Sequence, residues 1–170
     1  MGFFDKLTGT KYPDNGAAPC SAEEVRAALL AINGRDVPFR VRNALPDEKA
    51  DLVAEWRVLE PATGRGSTRR QLERSLKTRM RLAPGRREVR SLDEQWQVTL
   101  IGDPPRRSMS REYGRGRSTT VSRRWTYERA TDGRRRRAET FRLDTREMSS
   151  LLQQVVLDAG WIWRGVLFSL

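Results

Sequence analysis

Over most of the span from residue 37 to residue 143 the apolar residues recur at every second position, whereas the flanking segments follow the 3.6-residue spacing of a helix. The segments VPFRVRNA and LVAEWRVLE alternate in this way, and the polar stretch LPDEKAD separates them. Leu72, Leu76, Met80 and Leu82 all stand at even positions, with basic residues largely between them. Such alternation gives a strand one apolar and one polar face, which is typical of antiparallel sheets. The pattern therefore predicts an antiparallel sheet in the centre of the chain.

A helix with marked ends precedes this sheet in the segment CSAEEVRAALLAINGRD. Ser21 and Glu24 stand three residues apart, the spacing of a capping box, in which each side chain bonds the other residue's backbone amide. Gly34 is predicted to end the helix in a left-handed conformation. Cys20, the only cysteine, precedes the cap and can contact Val25, which favours a packing role for its thiol over a nucleophilic one.

A second helix is predicted near the end of the sequence, in LDTREMSSLLQQVVLDAG. Asp144 and Glu147 repeat the capping-box spacing, and Gly160 is the predicted stop. The apolar residues between them hold the alternating spacing of three and four that a deeply buried helix shows. The following WIWRGVLF is apolar at almost every position, as expected of a strand covered on both faces.

A turn between two of the strands predicts how they pair. The sequence APGR suits a type II turn, which pairs Met80 with Val89. Leu92 and the apolar residues after it then stand at even positions while Val89 is odd. Both sets face one core only if an extra residue is inserted, so a bulge is predicted near Arg90–Ser91.

The run of four arginines in TDGRRRRAET belongs to a predicted hairpin. A three-residue loop, TDG, pairs Val121 with Leu143 and Glu128 with Arg136, and this register keeps the large apolar groups together. In it the four arginines alternate between the two faces. They form a charged hairpin tip, and charge on an exposed strand discourages edge-to-edge pairing.

The predicted fold class is α+β. It comprises an N-terminal helix, an antiparallel, strongly twisted or barrel-like sheet of about seven strands, and a buried C-terminal helix followed by a last strand. Residues 21–170 are expected to form this single α+β domain. Residues 1–20 are expected to be a short N-terminal helix plus linker, and the apolar turn within residues 1–9 docks either on the domain or on a membrane.

The chain contains no histidine and one cysteine, which excludes several common kinds of site. An internal disulfide, a Cys/His zinc site and a Ser-His-Asp or Cys-His nucleophile cannot be built from these residues. We therefore expect no metal, no cofactor and no enzyme activity. The alternative that stays open is an enzyme acting on a phosphorylated ligand, in which a carboxylate such as Glu55, Asp93 or Glu94 lies beside arginines.

No apolar run approaches the ~18 residues that span a bilayer, and no signal peptide opens the sequence. The protein is therefore expected not to be transmembrane and to be cytoplasmic. The pattern predicts no particular oligomeric state.

The net charge of +11 lies in the middle of the sequence. Residues 1–60 carry 8 basic and 10 acidic side chains, residues 61–140 carry 22 and 9, and residues 141–170 carry 3 and 3. Net charge alone speaks to solubility and non-specific binding, so a merely solvated basic surface is one interpretation and a real anionic partner is the other.

A meander of strands would gather the loops at 61–70, 102–107 and 131–133 at one end and the acidic turn PDEKAD at the other. Two glycine-arginine segments, TGRGSTRR and YGRGRSTT, can present backbone amides to an anion, but neither matches a phosphate loop and both are predicted to be connecting loops. The candidate anion-binding residues are Arg65, Arg69, Arg70, Arg106, Arg107, Arg134 and Arg136.

The leading hypothesis is a non-catalytic binding or scaffold module whose basic surface meets an anionic partner, an acidic protein or a membrane surface. The alternative is non-sequence-specific nucleic-acid binding, because tryptophans interleaved with arginines can stack the bases of a single strand. The spacing of EWRV, EQWQV, RRWTY and WIWRG favours a place for these tryptophans in the sheet core.

The segments MGFFDKL, DLVAEWRV and AGWIWRGVLF resemble an uncharacterised family of small soluble proteins from GC-rich Gram-positive bacteria. The resemblance covers most of the chain, and it implies no activity and no functional residue. The order of elements, a long antiparallel sheet with a hydrophobic helix near the C-terminus, also resembles tubby-like and scramblase-like barrels.

Overall fold

A computed structural model describes residues 8–14, 16, 18–104, 106–115, 121–129 and 134–170, and within these it describes the backbone alone for 107–115, 122, 124–129 and 135–141. The predicted loop at 131–133 lies outside the described residues, as does nearly all of the predicted helix at 1–9. The elements in chain order are α1 (Ala22–Leu30), β1 (Arg40–Asn43), β2 (Leu52–Leu59), β3 (Arg70–Ala83), β4 (Glu88–Ile101), β5 (Arg106–Arg115), β6 (Val121–Arg129), β7 (Arg135–Asp144), α2 (Arg146–Asp158) and β8 (Ile162–Gly165).

Strands β1 to β5 are antiparallel neighbours in sequence order, which confirms the predicted meander. Strand β8 pairs in parallel with the start of β4, where β5 does not reach, so the main sheet is mixed and has six strands. Strands β6 and β7 form a separate two-stranded sheet. The α+β class is thus confirmed. The described strands form an open six-stranded sheet and a small hairpin, so the single, strongly twisted or barrel-like sheet of about seven strands is not confirmed.

One face of the main sheet carries the apolar core, and we call it the inner face. Leu52, Met80 and Val89 project from it and are fully buried. Both helices pack against this face, because each has one apolar stripe to bury. The buried stripe residues are Val25 and Leu29 of α1 and Met148, Leu152, Val155 and Val156 of α2.

The ends of α1 are partly as the sequence predicts. The capping box is confirmed, because Ser21 Oγ accepts from the Glu24 amide at 3.3 Å and Glu24 Oε2 accepts from the Ser21 amide at 2.7 Å. The left-handed stop at Gly34 is wrong, since residues 31–34 continue as a 3₁₀ turn and this glycine has no positive φ. The Asn33 side chain fixes that turn to β1 by two hydrogen bonds with the Val41 backbone, at 2.7 and 2.8 Å.

At α2 the predicted C-terminal stop is confirmed and the predicted N-terminal capping box is wrong. Gly160 ends the helix with a φ of 72°, as predicted. The capping box of Asp144 with Glu147 is wrong, because Thr145 is the residue at the cap and its side chain makes no capping bond. Asp144 instead accepts from the Arg146 amide at 3.1 Å and from its guanidinium at 2.6 to 3.1 Å. Arg146 thereby lowers the pKa of the Asp144 carboxyl to about 2.

The connection between β3 and β4 has four residues, where a two-residue turn was predicted. Leu82 consequently pairs with Val89, and Met80 pairs with Ser91. From there the pairing continues without interruption to the far ends of both strands, so the predicted bulge near Arg90–Ser91 is wrong. Because residues along a strand alternate, the even-numbered residues of β4, Leu92 and Trp96 among them, face away from the core. We call the face they occupy the back face.

The β6–β7 hairpin follows its predicted register near the tip and departs from it farther away. Glu128 pairs with Arg136 as predicted. The register then shifts by one residue between Arg124 and Trp125. Val121 consequently pairs with Asp144, and the predicted pairing of Val121 with Leu143 is wrong. Such a shift is a β-bulge, which loop chemistry at the tip does not determine.

Residues before α1 are attached to the last strand. The Lys11 amide donates to the Trp163 carbonyl at 2.8 Å, and the Trp163 amide donates back at 2.9 Å. Close by, a Cβ atom added to Gly165 would lie 1.8 Å from the carbonyl oxygen of Thr8. Only glycine therefore allows these two backbone segments to approach each other.

Candidate functional site

The meander places the β2–β3 and β4–β5 connections at the same end of the main sheet. Arg70 at the start of β3 pairs with Ile101, and Ile101 pairs in turn with Arg106 at the start of β5. The Gly102 amide donates to the Arg69 carbonyl at 2.8 Å, which joins the two connections directly. We define the basic end by the four arginines of these connections whose side chains are described, Arg65, Arg69, Arg70 and Arg106.

The guanidinium groups of the basic end reach solvent without ion pairing. Arg70 and Arg106 both lie opposite Ile101, so they project from one face of the sheet, about 10 Å apart at two strand spacings. Arg65, Arg70 and Arg106 are exposed and Arg69 is half-buried. None of the four has a carboxylate within 4.0 Å in the described part of the chain, in contrast to Arg42, Arg57, Arg74, Arg79, Arg90, Arg146 and Arg164.

No described contact joins the remaining three candidate anion-binding arginines to these four. Arg107 pairs with Leu100 beside the basic end, and its side chain lies outside the described residues. Arg134 is exposed, and Arg136 pairs with Glu128 in the separate hairpin. No backbone pairing joins that hairpin to the basic end among the residues the structure describes.

Carboxylates are scarce at the basic end. Residues 61–70 contain no aspartate or glutamate. Glu60, which precedes them, is 2% exposed and accepts from Arg74 Nε at 2.7 Å, so its charge is already neutralised inside the protein. Asp103 in the neighbouring connection is exposed. The local field is therefore positive, which favours an anionic partner.

The backbone of the β2–β3 loop adds donors to these cations. Thr63 and Arg70 close the loop by a pair of backbone hydrogen bonds at 2.7 and 2.8 Å. Gly64 and Gly66 hold φ values of 80° and 54°, and a Cβ on Gly64 would lie 2.7 Å from the Thr68 carbonyl oxygen. The amides of residues 64–67 donate to no acceptor among the described atoms. Consecutive free amides beside guanidinium groups suit a phosphate or carboxylate.

The opposite end of the sheet carries mixed charge. The turn PDEKAD lies there as predicted, but two of its acids have internal partners. Asp51 accepts from the Leu82 amide at 2.8 Å, and Glu48 accepts both terminal nitrogens of Arg42 at 2.7 and 2.8 Å. Arg86 and Arg87 are exposed at this same end. The acidic pole that the sequence suggests is therefore largely neutralised.

A network of ion pairs on the back face was not predicted from the sequence. Arg42 bonds both oxygens of Glu48 and both oxygens of Glu55, and Lys77 Nζ lies 2.9 Å from Glu48 and 3.5 Å from Glu55. The hydrogen bonds from Arg42 lower the pKa of both carboxyls, so both are charged at neutral pH. Glu55 lies directly opposite Lys77 on β3, a pairing that becomes visible only once the strand register is known.

Next to this network lies a groove on the back face, which we call the Trp96 groove. It has a volume of about 400 Å³. Lys77 Nζ lies 5.9 Å from the centre of the Trp96 ring, which is half-buried. The prediction that the tryptophans are core residues is confirmed for Trp56, Trp161 and Trp163 and is wrong for Trp96. The side chain of Trp125 lies outside the described residues. The groove residues on the back face are Glu55, Arg57, Glu73, Ser75, Lys77, Trp96 and Val98.

The carboxylates of the enzyme alternative do not assemble into one site. Glu55 belongs to the Arg42 network, and Glu94 lies on the back face 3.0 Å from Arg79. Asp93 lies on the inner face, where it accepts from Thr78 Oγ1 at 2.6 Å. It borders a cavity of about 90 Å³ against the first turn of α2, which is small beside the 300–1,000 Å³ of typical ligand pockets.

Within the described ranges no three acidic or cysteine side chains converge as a metal site. No helix in that part of the protein has both the length and the apolar character needed to cross a membrane. No protein family, characterised protein or solved structure matches this chain. The basic end and the Trp96 groove are thus the features on which a function can be argued.

Proposed function

We propose that this protein is a non-catalytic binding module whose basic end holds an anionic partner. The observation that carries the proposal is the contrast among its arginines. Arg74 and Arg79 of β3 and Arg90 of β4 are ion-paired with glutamates. The four arginines of the basic end face no carboxylate among the described residues and are mostly exposed. Unpaired charge on adjacent loops is available to an outside partner at no cost in internal contacts.

The sequence favours an acidic protein or an anionic membrane surface as this partner, encountered in the cytoplasm. Each arginine near an anionic lipid surface contributes about 1 kcal/mol, and the contribution falls off within a Debye length, about 8 Å at physiological ionic strength. Single-stranded nucleic acid is a second candidate, and the half-buried aromatic ring of Trp96, which lies outside the core, is the observation that favours it.

The test is a binding titration of the full chain with three probes: phosphatidylserine-containing vesicles, poly-glutamate and a labelled single-stranded oligonucleotide. Each is measured at low and at physiological salt. The variant Arg69→Glu with Arg70→Glu reverses two charges of the basic end. We expect it to weaken binding of the preferred probe by roughly 30-fold, from about 2 kcal/mol for the two arginines alone.

The matched control is Arg86→Glu with Arg87→Glu, which makes the same charge change at two adjacent exposed arginines of the opposite end. If binding depends on the basic end, the control retains most of its affinity. Equal losses in both variants would show that only the total charge matters. Absence of binding to all three probes at physiological salt would refute the proposal.

A further inference from the structure

A cavity on the back face, which we call the Arg81 cavity, lies between the turn PDEKAD and the segment 168–170. Its volume of about 400 Å³ falls within the range of small-molecule pockets. Arg81 lies eleven residues along β3 from Arg70, or about 36 Å at ~3.3 Å per residue, so the cavity is remote from the basic end. A ligand held there is independent of an anion bound at the basic end.

The two arginines of the Arg81 cavity are fixed by backbone carbonyl groups. Arg79 Nη1 donates to the Glu48 carbonyl at 2.8 Å, and Arg81 Nη2 donates to the Lys49 carbonyl at 2.7 Å. Arg81 Nη1 also donates to the Leu170 carbonyl at 3.2 Å. Because these guanidinium groups are already held in place, they lose little further entropy when a ligand binds.

Arg81 keeps donors that a ligand can use. A guanidinium group carries five N–H donors in one plane. Arg81 forms two hydrogen bonds with the described atoms, and the side chain is half-buried at the cavity. The other N–H groups therefore suit the two oxygens of a carboxylate, which matches the planar guanidinium fork.

The Arg81 cavity carries an uncompensated positive charge. Arg79 is paired with Glu94 at 3.0 Å. Neither Arg81 nor Lys49 has a carboxylate oxygen within 4.0 Å in the described part of the chain, and the carbonyl acceptors of Arg81 are uncharged. Asp47 is the one carboxylate among the described lining residues. Two cations against one carboxylate leave a net charge of +1, which a monoanion balances and a doubly charged phosphate exceeds.

The third wall of the Arg81 cavity is apolar. Phe168 lines the cavity and is 81% exposed, and the half-buried Leu170 lies beside it. A ligand with an apolar body covers part of the Phe168 ring and removes that surface from water. The cavity thus combines a place for one negative charge with a place for an apolar group.

We infer that the Arg81 cavity binds a small monocarboxylate with an apolar body. The carboxylate accepts from Arg81 and is attracted by Lys49, and the apolar body lies against Phe168. Both a medium-chain fatty acid and an aromatic acid have this chemistry. The inference goes beyond the proposed function, because it concerns a second site and a small molecule.

The experiment is isothermal titration calorimetry of the full chain with octanoate, phenylacetate and acetate at physiological salt. Octanoate tests the aliphatic source of the carboxylate and phenylacetate the aromatic source. We expect at least one of the two to bind with a Kd of about 1 mM or lower, a modest affinity for a ligand of this size. Acetate lacks the apolar body and the corresponding amides lack the charge, so each is expected to bind about tenfold more weakly.

Two variants test the two halves of the site. Arg81→Gln removes the charge and keeps an amide that can donate to a backbone carbonyl, and it is expected to weaken binding of the preferred acid about tenfold. Phe168→Ala is expected to weaken it about fivefold. The matched controls are Arg86→Gln and Leu59→Ala, which remove an exposed cation and a 55% exposed apolar side chain outside the cavity. Both are expected to bind the acid like the wild type.

The inference is overturned if neither acid binds more tightly than acetate, or if the amides bind as tightly as the acids. It is also overturned if Arg81→Gln leaves the affinity unchanged, or if Arg86→Gln lowers it equally, since binding then follows total charge. If Arg81→Gln fails to fold, Phe168→Ala and the comparison of acids with amides on wild-type protein still decide. The variant Arg69→Glu with Arg70→Glu is expected to keep its affinity for the acid, so this inference and the proposed function can fail separately.

Discussion

The buried carboxylate of Glu88 connects the two strands at the parallel edge of the main sheet, and replacing it measures how much that connection stabilises the fold. Glu88 is 1% exposed. Its two oxygens accept from Arg90 Nε at 2.8 Å and from Arg164 Nε of β8 at 2.7 Å. Burial raises the pKa of this carboxyl, but the two guanidinium groups together lower it further, so the net shift is downward.

The change Glu88→Gln keeps the shape and removes the charge. The amide retains one oxygen, so one charge-assisted hydrogen bond is lost and the other becomes a bond to a neutral acceptor. A hydrogen bond to a charged group contributes ~1.5–3 kcal/mol. The side chains of Arg90 and Arg164 are 32% and 38% exposed, so water recovers part of the loss. We expect a loss of about 2 kcal/mol in the free energy of unfolding, or about 4–8 °C in Tm for a domain of this size.

The assay is urea denaturation followed by tryptophan fluorescence, from pH 7 down to the lowest pH at which both proteins fold. Because the folded-state pKa of Glu88 is lowered, its contribution is present above the unfolded-state value and is lost as the pH falls through the folded-state value. Protonated Glu88 resembles Gln, so the gap between the proteins should begin to narrow as the pH falls below the unfolded-state pKa, about 4.3, and close only as it falls through the lower folded-state pKa. Glu23→Gln, a change at an exposed glutamate of α1, is the control. A gap below ~0.5 kcal/mol at pH 7, within the range of surface substitutions, or one that does not change with pH, refutes the reasoning.

Two further substitutions test the packing. Gly165→Ala places a methyl group 1.8 Å from the Thr8 carbonyl oxygen, so we expect a loss of about 2–3 kcal/mol in the free energy of unfolding. The control Gly34→Ala, at a position with open space and no positive φ, should be neutral or slightly stabilising. Leu29→Ala removes a fully buried side chain from α1 and should cost about 3 kcal/mol in urea denaturation; a loss under 1 kcal/mol would mean that α1 is not packed against the sheet as described.

Sequence patterns that involve residues close together in the chain predicted the local structure correctly. The Ser21–Glu24 box formed because its two hydrogen bonds join neighbouring parts of one turn and need no distant partner. Glu128 pairs with Arg136 for a similar reason, since both lie near the hairpin tip. Consecutive strands joined by short connections tend to pair, and β1 to β5 therefore form the expected meander.

The placement of β4 could not be predicted, because the alternation pattern was assumed to serve one buried face. A bulge was needed to bring Leu92 to the same core as Val89, yet Leu92 is 1% exposed on the back face. There it lines the Arg81 cavity together with Arg79, Arg81 and the segment 168–170. Long charged side chains can cover apolar surface with their stems. In a strand without a bulge, the odd position of Val89 and the even positions of Leu92 and Trp96 place these side chains on opposite faces.

The net charge of residues 61–140 is larger than the charge that a binding partner encounters at the surface. The strand register explains the difference. Arg74 is paired with Glu60, and Arg79 with Glu94; each pair joins residues 14 or 15 positions apart in sequence. A cation beside a buried carboxylate contributes little field at a distance, because the two charges cancel. The attraction that remains comes from arginines at the connections, such as Arg70 and Arg106, which have no acid opposite them. Ion pairing depends on which residues lie across from each other on adjacent strands. The charged surface can therefore be derived from the sequence only when that register is known.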